Sequence, residues 1–216
     1  FLAITLFLAF SKAALAQFGN CTASEMRTYV DSATGSTITM LTDTMKNDRF
    51  LYQTDPMWTA DGKYLLFRSS SRGNDKEVES TLPNGEKRKW TPTQIYFIEM
   101  ATGKIIQATE GPNLGSAFLA NKTNRMFVSR KEKENWNMYV MDLDKFFADV
   151  KQGKVGKPSA YETFIGTFPT EMGRPGGYAV DCNDDYAYIT VEREGTEEEK
   201  GRMMKNAFLP ESNQPV

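Results

Sequence analysis

The chain has 216 residues with 26 basic and 28 acidic side chains, no histidine and a net charge of −2. That balance argues against a nucleic-acid-binding face, which needs a strong basic excess. The missing histidine removes Ser-His-Asp and Cys-His nucleophile systems and every histidine-based metal site from this chain.

Phe1 to Phe10 is almost wholly apolar, and Ala14-Leu15-Ala16 has the small-x-small pattern read by a signal peptidase. Residues 1–16 therefore read as a signal peptide clipped at its start, with cleavage before Gln17 and a periplasmic or secreted mature protein. No later stretch is apolar enough to predict a membrane span. In an exported compartment Cys21 and Cys182 are either a bridge or two free thiols, and spacing alone does not decide between them.

Strand-turn-strand phrases then follow in order. The first, Thr28–Gly35, turns at Asp31–Gly35 toward Ile38–Thr42. Next, Trp58-Thr59-Ala60-Asp61-Gly62-Lys63-Tyr64-Leu65-Leu66-Phe67 reads as strand, Asp-Gly turn, strand, and Gln94–Ile106 repeats the phrase with its turn at Ala101–Gly103. Four short antiparallel strands of this kind make one blade of a β-propeller. The inner pair recurs at Gly115–Arg130 and Gly177–Glu192, with Trp58, Phe118 and Tyr178 aligned at an interval of 60 residues. Outer strands recur at Ile95–Glu99 and Met138–Asp142.

The fold class is therefore all-β: a partial β-propeller of about three four-stranded antiparallel blades over residues 17–194. The interval exceeds a compact blade of about 40–45 residues, so each copy carries an insertion. Arg72–Pro92 reads as a solvated polar loop. Within Asp144–Lys157, Phe146–Val150 predicts one or two helical turns covering an outer edge strand. Residues 195–216 read as a loop or frayed tail cut from the next blade. The segment Thr28–Thr42 matches the outer half of a blade, so its inner strands are expected beyond Val216.

No residue of this chain is assigned as catalytic or as a metal ligand. Asp181-Cys182-Asn183-Asp184-Asp185 is a conceivable calcium loop, but such residues equally serve a hairpin turn. Asn121-Lys122-Thr123 matches a glycosylation sequon inside another turn. Loops joining one blade's outer strand to the next inner strand gather around the central channel, and loops on a rigid scaffold carry function. Those loops contain Tyr52–Asp55, Pro112–Leu114 and Arg174–Gly176, which makes Gln53, Asn113 and Arg174 the candidate substrate contacts. Trp58, Tyr96, Tyr139 and Tyr178 read as blade-packing core.

Tyr29–Gly35, Ile38–Thr42, Phe50–Gln53, Trp58–Phe67, Tyr96–Glu99 and Gln107–Gly111 together resemble the opening of the oligogalacturonate lyases, pectin-degrading propellers akin to TolB. The likeness covers most of residues 27–193 and weakens between Lys131 and Lys157. It implies a seven-bladed ring, an acidic oligosaccharide substrate cleaved by β-elimination, and a manganese ion held mainly by histidines of later blades. None of the family's catalytic or metal residues maps onto a position here. Asn47-Asp48-Arg49 stands where the family often has a histidine, which keeps a second class in view: a non-catalytic TolB-like propeller binding a protein or glycan at the cell envelope. Oligomeric state is not legible.

Overall fold

A computed structural model of the chain describes residues 18–53, 55–73, 76–81, 85–168, 175–191 and 206–208. The segment read as a signal peptide and most of 195–216 lie outside them. In chain order the strands begin with β1 (Cys21–Thr22), β2 (Arg27–Val30), β3 (Thr37–Met40), β4 (Asp48–Arg49) and β5 (Tyr64–Ser69). They continue with β6 (Val78–Thr81), β7 (Lys87–Trp90), β8 (Gln94–Glu99), β9 (Ile105–Gln107), β10 (Leu114–Leu119) and β11 (Arg125–Glu132). After β12 (Asn135–Asp142) come helix α1 (Leu143–Gln152), a 3-10 turn (Pro158–Ala160), β13 (Glu162–Thr167), β14 (Pro175–Val180), β15 (Ala187–Val191) and β16 (Asn206–Phe208).

Three of the five antiparallel sheets among the described residues follow one another as expected of successive propeller blades; the other two are the two-stranded pairs β2-β3 and β6-β7. The first blade runs β4-β5-β8-β9-β1, the second β10-β11-β12-β13 and the third β14-β15-β16. Blade faces alternate along each strand. In β5 and β8, Tyr64, Leu66, Ile95 and Phe97 belong to one core cluster, and Phe67, Tyr96 and Ile98 to another on the opposite face. The first of these clusters is shared with Leu119, Met126, Val128 and Met141 of the second blade. Between the second and third blades, Phe118 lies stacked between Phe127 (centroids 4.9 Å) and Tyr178 (4.7 Å).

Turn residues fasten the blades at one end. Asp61 N donates to Asn124 Oδ1 of the next blade at 3.2 Å. One blade further on, the Asp184 carboxylate accepts from the backbone N–H of Asn121 (2.6 Å), Lys122 (2.8 Å) and Thr123 (2.8 Å), and from the Thr123 hydroxyl (2.9 Å). Burial works to raise the Asp184 pKa, but these donors outweigh it and hold the carboxyl below its ordinary value. Asp181 likewise accepts from Tyr186 N and Asn183 N, so both carboxylates complete turns. Asn121 Nδ2 donates to the carbonyls of Val180 and Asp181, which ties up the sequon asparagine.

Several expectations need correction. Trp58 faces Leu65, Leu119 faces Met126 and Val180 faces Ala187, so the repeat interval is 61 residues rather than 60. Aligning the aromatic residues picks Phe118 and Tyr178, which fall one and two residues short of the positions that pair as Trp58 does. Arg72–Pro92 contains a hairpin, β6-β7, and Arg72 itself is buried: its side chain is 6% exposed. Over residues 206–208 the tail reading is replaced by a strand, since β16 pairs with β15 as the third strand of its blade.

Helix α1 exists but does not cover an outer edge. Asp142 caps its start by accepting from Lys145 N, and Gly153, at φ 66°, ends it in the left-handed region that a Cβ disfavours. Its apolar residues Leu143, Phe146 and Phe147 recur at helical spacing and are all buried. Phe147 stacks on Tyr64 of the first blade at 3.6 Å and meets Phe97 edge-on at 5.1 Å. Three large apolar side chains demand a face, not a backbone edge, so the helix wedges between the first and second blades. The outer edge of the first blade is covered instead by β1, through Cys21↔Ile106 and Thr22↔Ile105.

Among the described residues β2 and β3 pair only with each other, and both strands are largely exposed. Cys21 and Cys182 are exposed free thiols. No described helix is long and apolar enough to cross a membrane.

Candidate functional site

The inner strand of each blade is interrupted at the same depth. In the first blade β4 pairs with Arg68 and Ser69, and the chain then leaves β5 and rejoins it at Met57, whose carbonyl accepts from Leu66 N at 2.7 Å. The departure spans residues 50–56, and Tyr52–Asp55 belongs to it rather than to a connection between blades. The bulge at Gly115-Ser116 and that at Gly177 are its counterparts. Bulges of this kind re-aim side chains and concentrate beside active sites.

Together the three interruptions line a groove of about 1440 Å³. Gly115 allows one wall to close: an added Cβ would collide with Ser129 Oγ and the Trp136 ring. Ser129 Oγ in turn accepts from Ser116 N at 2.9 Å and shares a hydrogen bond with the Tyr178 hydroxyl at 2.8 Å, which locks the second blade to the third at the groove floor.

Among the described residues three cations line the groove, Arg49 of β4, Arg68 of β5 and Arg88 of β7, against one acid, Asp55. Aromatic lining comes from Tyr52, Trp90 and Tyr188 among others, all partly exposed. Arg88 and Trp90 share one face of β7 because they are two residues apart, and Ser80, directly opposite Arg88, lines the groove with them. Guanidinium forks beside exposed rings suit an anionic sugar: the fork takes a carboxylate bidentately and the ring packs on the apolar face of the pyranose.

A second cluster holds this wall in place. Arg72 makes two hydrogen bonds to Asp48 (Nε to Oδ1 2.8 Å, Nη2 to Oδ2 2.6 Å) and two to Glu25 (Nη1 to Oε1 2.9 Å, Nη2 to Oε2 2.6 Å). The guanidinium lies 5.2 Å from the Phe67 ring centroid. The Arg72 hydrogen bond, opposed in part by burial, lowers the Glu25 pKa. Because Asp48 precedes Arg49, this cluster fixes the backbone that carries one groove cation.

Of the residues expected from sequence, Gln53 is exposed within the first-blade bulge; its neighbours Tyr52 and Asp55 line the groove, but Gln53 itself does not. Asn113 is exposed just before β10, where its carbonyl accepts from Lys131 N, and again the neighbour Leu114 lines the groove. Arg174 lies outside the described residues. Sequence reasoning missed Arg49, Arg68, Arg88 and Trp90. The hairpin could have been found from Asn84-Gly85 between two strand-like runs, a strong turn signal.

Among the described residues no three His, Cys, Asp or Glu side chains converge on a common point. The described part of this chain therefore does not fit a manganese site.

No protein-family profile matches the chain, and no curated protein sequence does either. Solved structures do match. An oligogalacturonate lyase in complex with manganese superposes with a TM-score of 0.57 at 19% identity, covering 83% of this chain and 39% of that one. An oligogalacturonate lyase from Vibrio parahaemolyticus gives 0.54 at 20% identity, covering 81% and 38%. The chain thus spans about two fifths of the length of either lyase, and over four fifths of its own length it has the fold of the oligogalacturonate lyases.

Proposed function

We propose that this chain is part of an exported lyase that cleaves oligogalacturonate by β-elimination, and that it supplies one wall of the substrate groove. The observation that carries the reading is the cationic, aromatic-rimmed groove at the inner-strand bulges of a lyase-type propeller. β-Elimination begins with loss of the proton α to a uronate carboxylate, so negative charge builds beside that carboxylate. A guanidinium on the carboxylate offsets this charge and makes the proton easier to remove. Arg49, Arg68 and Arg88 are placed to bind and orient uronates in this way, and the aromatic rim keeps water from the sugar faces. Manganese, a property of the matched solved lyase, finds no ligand set among the described residues, and no step is assigned to it.

The test is the ultraviolet absorbance of unsaturated uronate when the full-length protein meets digalacturonate and manganese. A steady rise is expected. Folded protein that binds the sugar without any rise would favour the second reading, a TolB-like propeller that binds a glycan or protein at the envelope without chemistry. That reading draws support from Asn47-Asp48-Arg49, the segment where the family often carries a histidine and where Arg72 holds Asp48. Export, inferred from residues 1–16, is tested by fractionating cells that make the untagged protein; retention in the cytoplasm would refute it.

A further inference from the structure

Arg49 and Arg68 stand directly opposite each other across the β4-β5 ladder. Facing residues of an antiparallel pair hold their Cβ atoms about 4.5–5.5 Å apart, and like charges at that distance weaken the sheet. Neither arginine forms an ion pair with a described residue, in contrast to Arg72 and Arg130, which are both paired with carboxylates. Both project into the groove, and Arg88 joins them from the separate β6-β7 hairpin. A sheet that keeps an unneutralised arginine pair opposite itself retains a strain that a bound anion would relieve.

We propose that Arg49 and Arg68 form a single subsite for one uronate carboxylate, with Arg88 and Trp90 of the hairpin closing over the same or the adjoining sugar. The pair gives two guanidinium forks at one point, enough for all the lone-pair directions of a carboxylate. Arg88 and Trp90 lie on one face of β7, so a single strand offers both a charge for the acid group and a ring for the sugar plane. The choice of a carboxylate among oxyanions rests on the oligogalacturonate reading; the existence of the oxyanion subsite rests on the facing arginines alone.

The experiment is calorimetric titration of the full-length protein with trigalacturonate, its methyl ester and inorganic phosphate, on the native protein and on Arg49→Gln and Arg68→Gln, alongside thermal melts without ligand. Trigalacturonate affinity should fall about tenfold or more in each variant, the scale of a lost charged hydrogen bond, and the methyl ester should bind weakly to all three proteins. The melts should hold or rise by about 1–3 °C as the like-charge contact disappears. Unchanged trigalacturonate affinity in both variants would overturn the subsite. So would a melt lowered by several degrees, which would make the arginines structural. Arginine-dependent binding of phosphate with no binding of trigalacturonate would overturn the carboxylate assignment and the lyase reading together. Arginine-dependent binding of trigalacturonate without turnover would support the subsite while the lyase reading fails.

Discussion

Arg72→Met keeps the length of the side chain over Phe67 and removes the charge that joins Glu25 to Asp48. The Arg72 and Asp48 side chains are only 6% and 10% exposed, and Glu25 is 24% exposed. Breaking a buried ion pair by deleting one partner costs about 3–5 kcal/mol, because the remaining charge is stranded. The partial exposure of Glu25 lets water recover part of that, so a loss of about 3 kcal/mol is expected, equivalent to a melt lowered by roughly 6–12 °C for a chain of this size. The pH dependence sharpens the test. Arg72 depresses the Glu25 pKa, so that contribution is fully present above the ordinary value of 4.5 and is lost as pH falls through the folded-state value. The gap between native protein and variant should be full at neutral pH and shrink below 4.5. Urea unfolding across that range measures it. A loss under about 1 kcal/mol at neutral pH, or a gap that does not shrink in acid, would refute the account of Arg72 as the clamp on this wall.

Phe147→Ala empties the contact between α1 and the Tyr64–Phe97 face of the first blade, and large-to-small changes of this kind cost about 3–5 kcal/mol; a urea midpoint close to that of the native protein would show that the helix is not a wedge. Asp184→Asn keeps a residue that tolerates the left-handed φ of 64° but removes the charge that gathers the Asn121–Thr123 donors, for an expected loss of about 1–2 kcal/mol. The Asp184 pKa is depressed, so its contribution exists above 3.8 and disappears as pH falls through the folded value. Stability of the variant should therefore depend less on pH in the acid range, and an unaltered acid limb would contradict this.

Much of the ladder was legible because its signals are local. Asp61-Gly62 with flanking aromatics announces the β5 hairpin, and Ile95–Glu99 and Met138–Asp142 announce β8 and β12 without reference to anything distant. The groove was not legible, because it depends on which residues escape the ladder. Residues 50–56 leave β5 and return to it, and only the register Arg49↔Arg68 reveals that two arginines face one another. Arg72 looked solvated because its partners lie 24 and 47 residues upstream, beyond any local pattern. Two-residue β1 and three-residue β16 are too short to carry a periodicity, and each exists only because a waiting blade edge pairs with it. Phe146 and Phe147 predicted a helix correctly, but the surface that receives them is assembled from Phe18, Tyr64 of β5, Phe97 of β8 and Tyr161, most of them far away in the chain.

The chain between Arg49 and Met57 is anchored at both ends to the same strand, so it is an appendix to the blade rather than a segment of it. Lengthening such an appendix costs little, about 0.6 kcal/mol for each doubling of a flexible loop. Selection, or a designer's randomised library, can thus rewrite this stretch freely while the scaffold beneath stays as it is. Recognition of a different polymer would then require new residues in one short appendage and no new architecture.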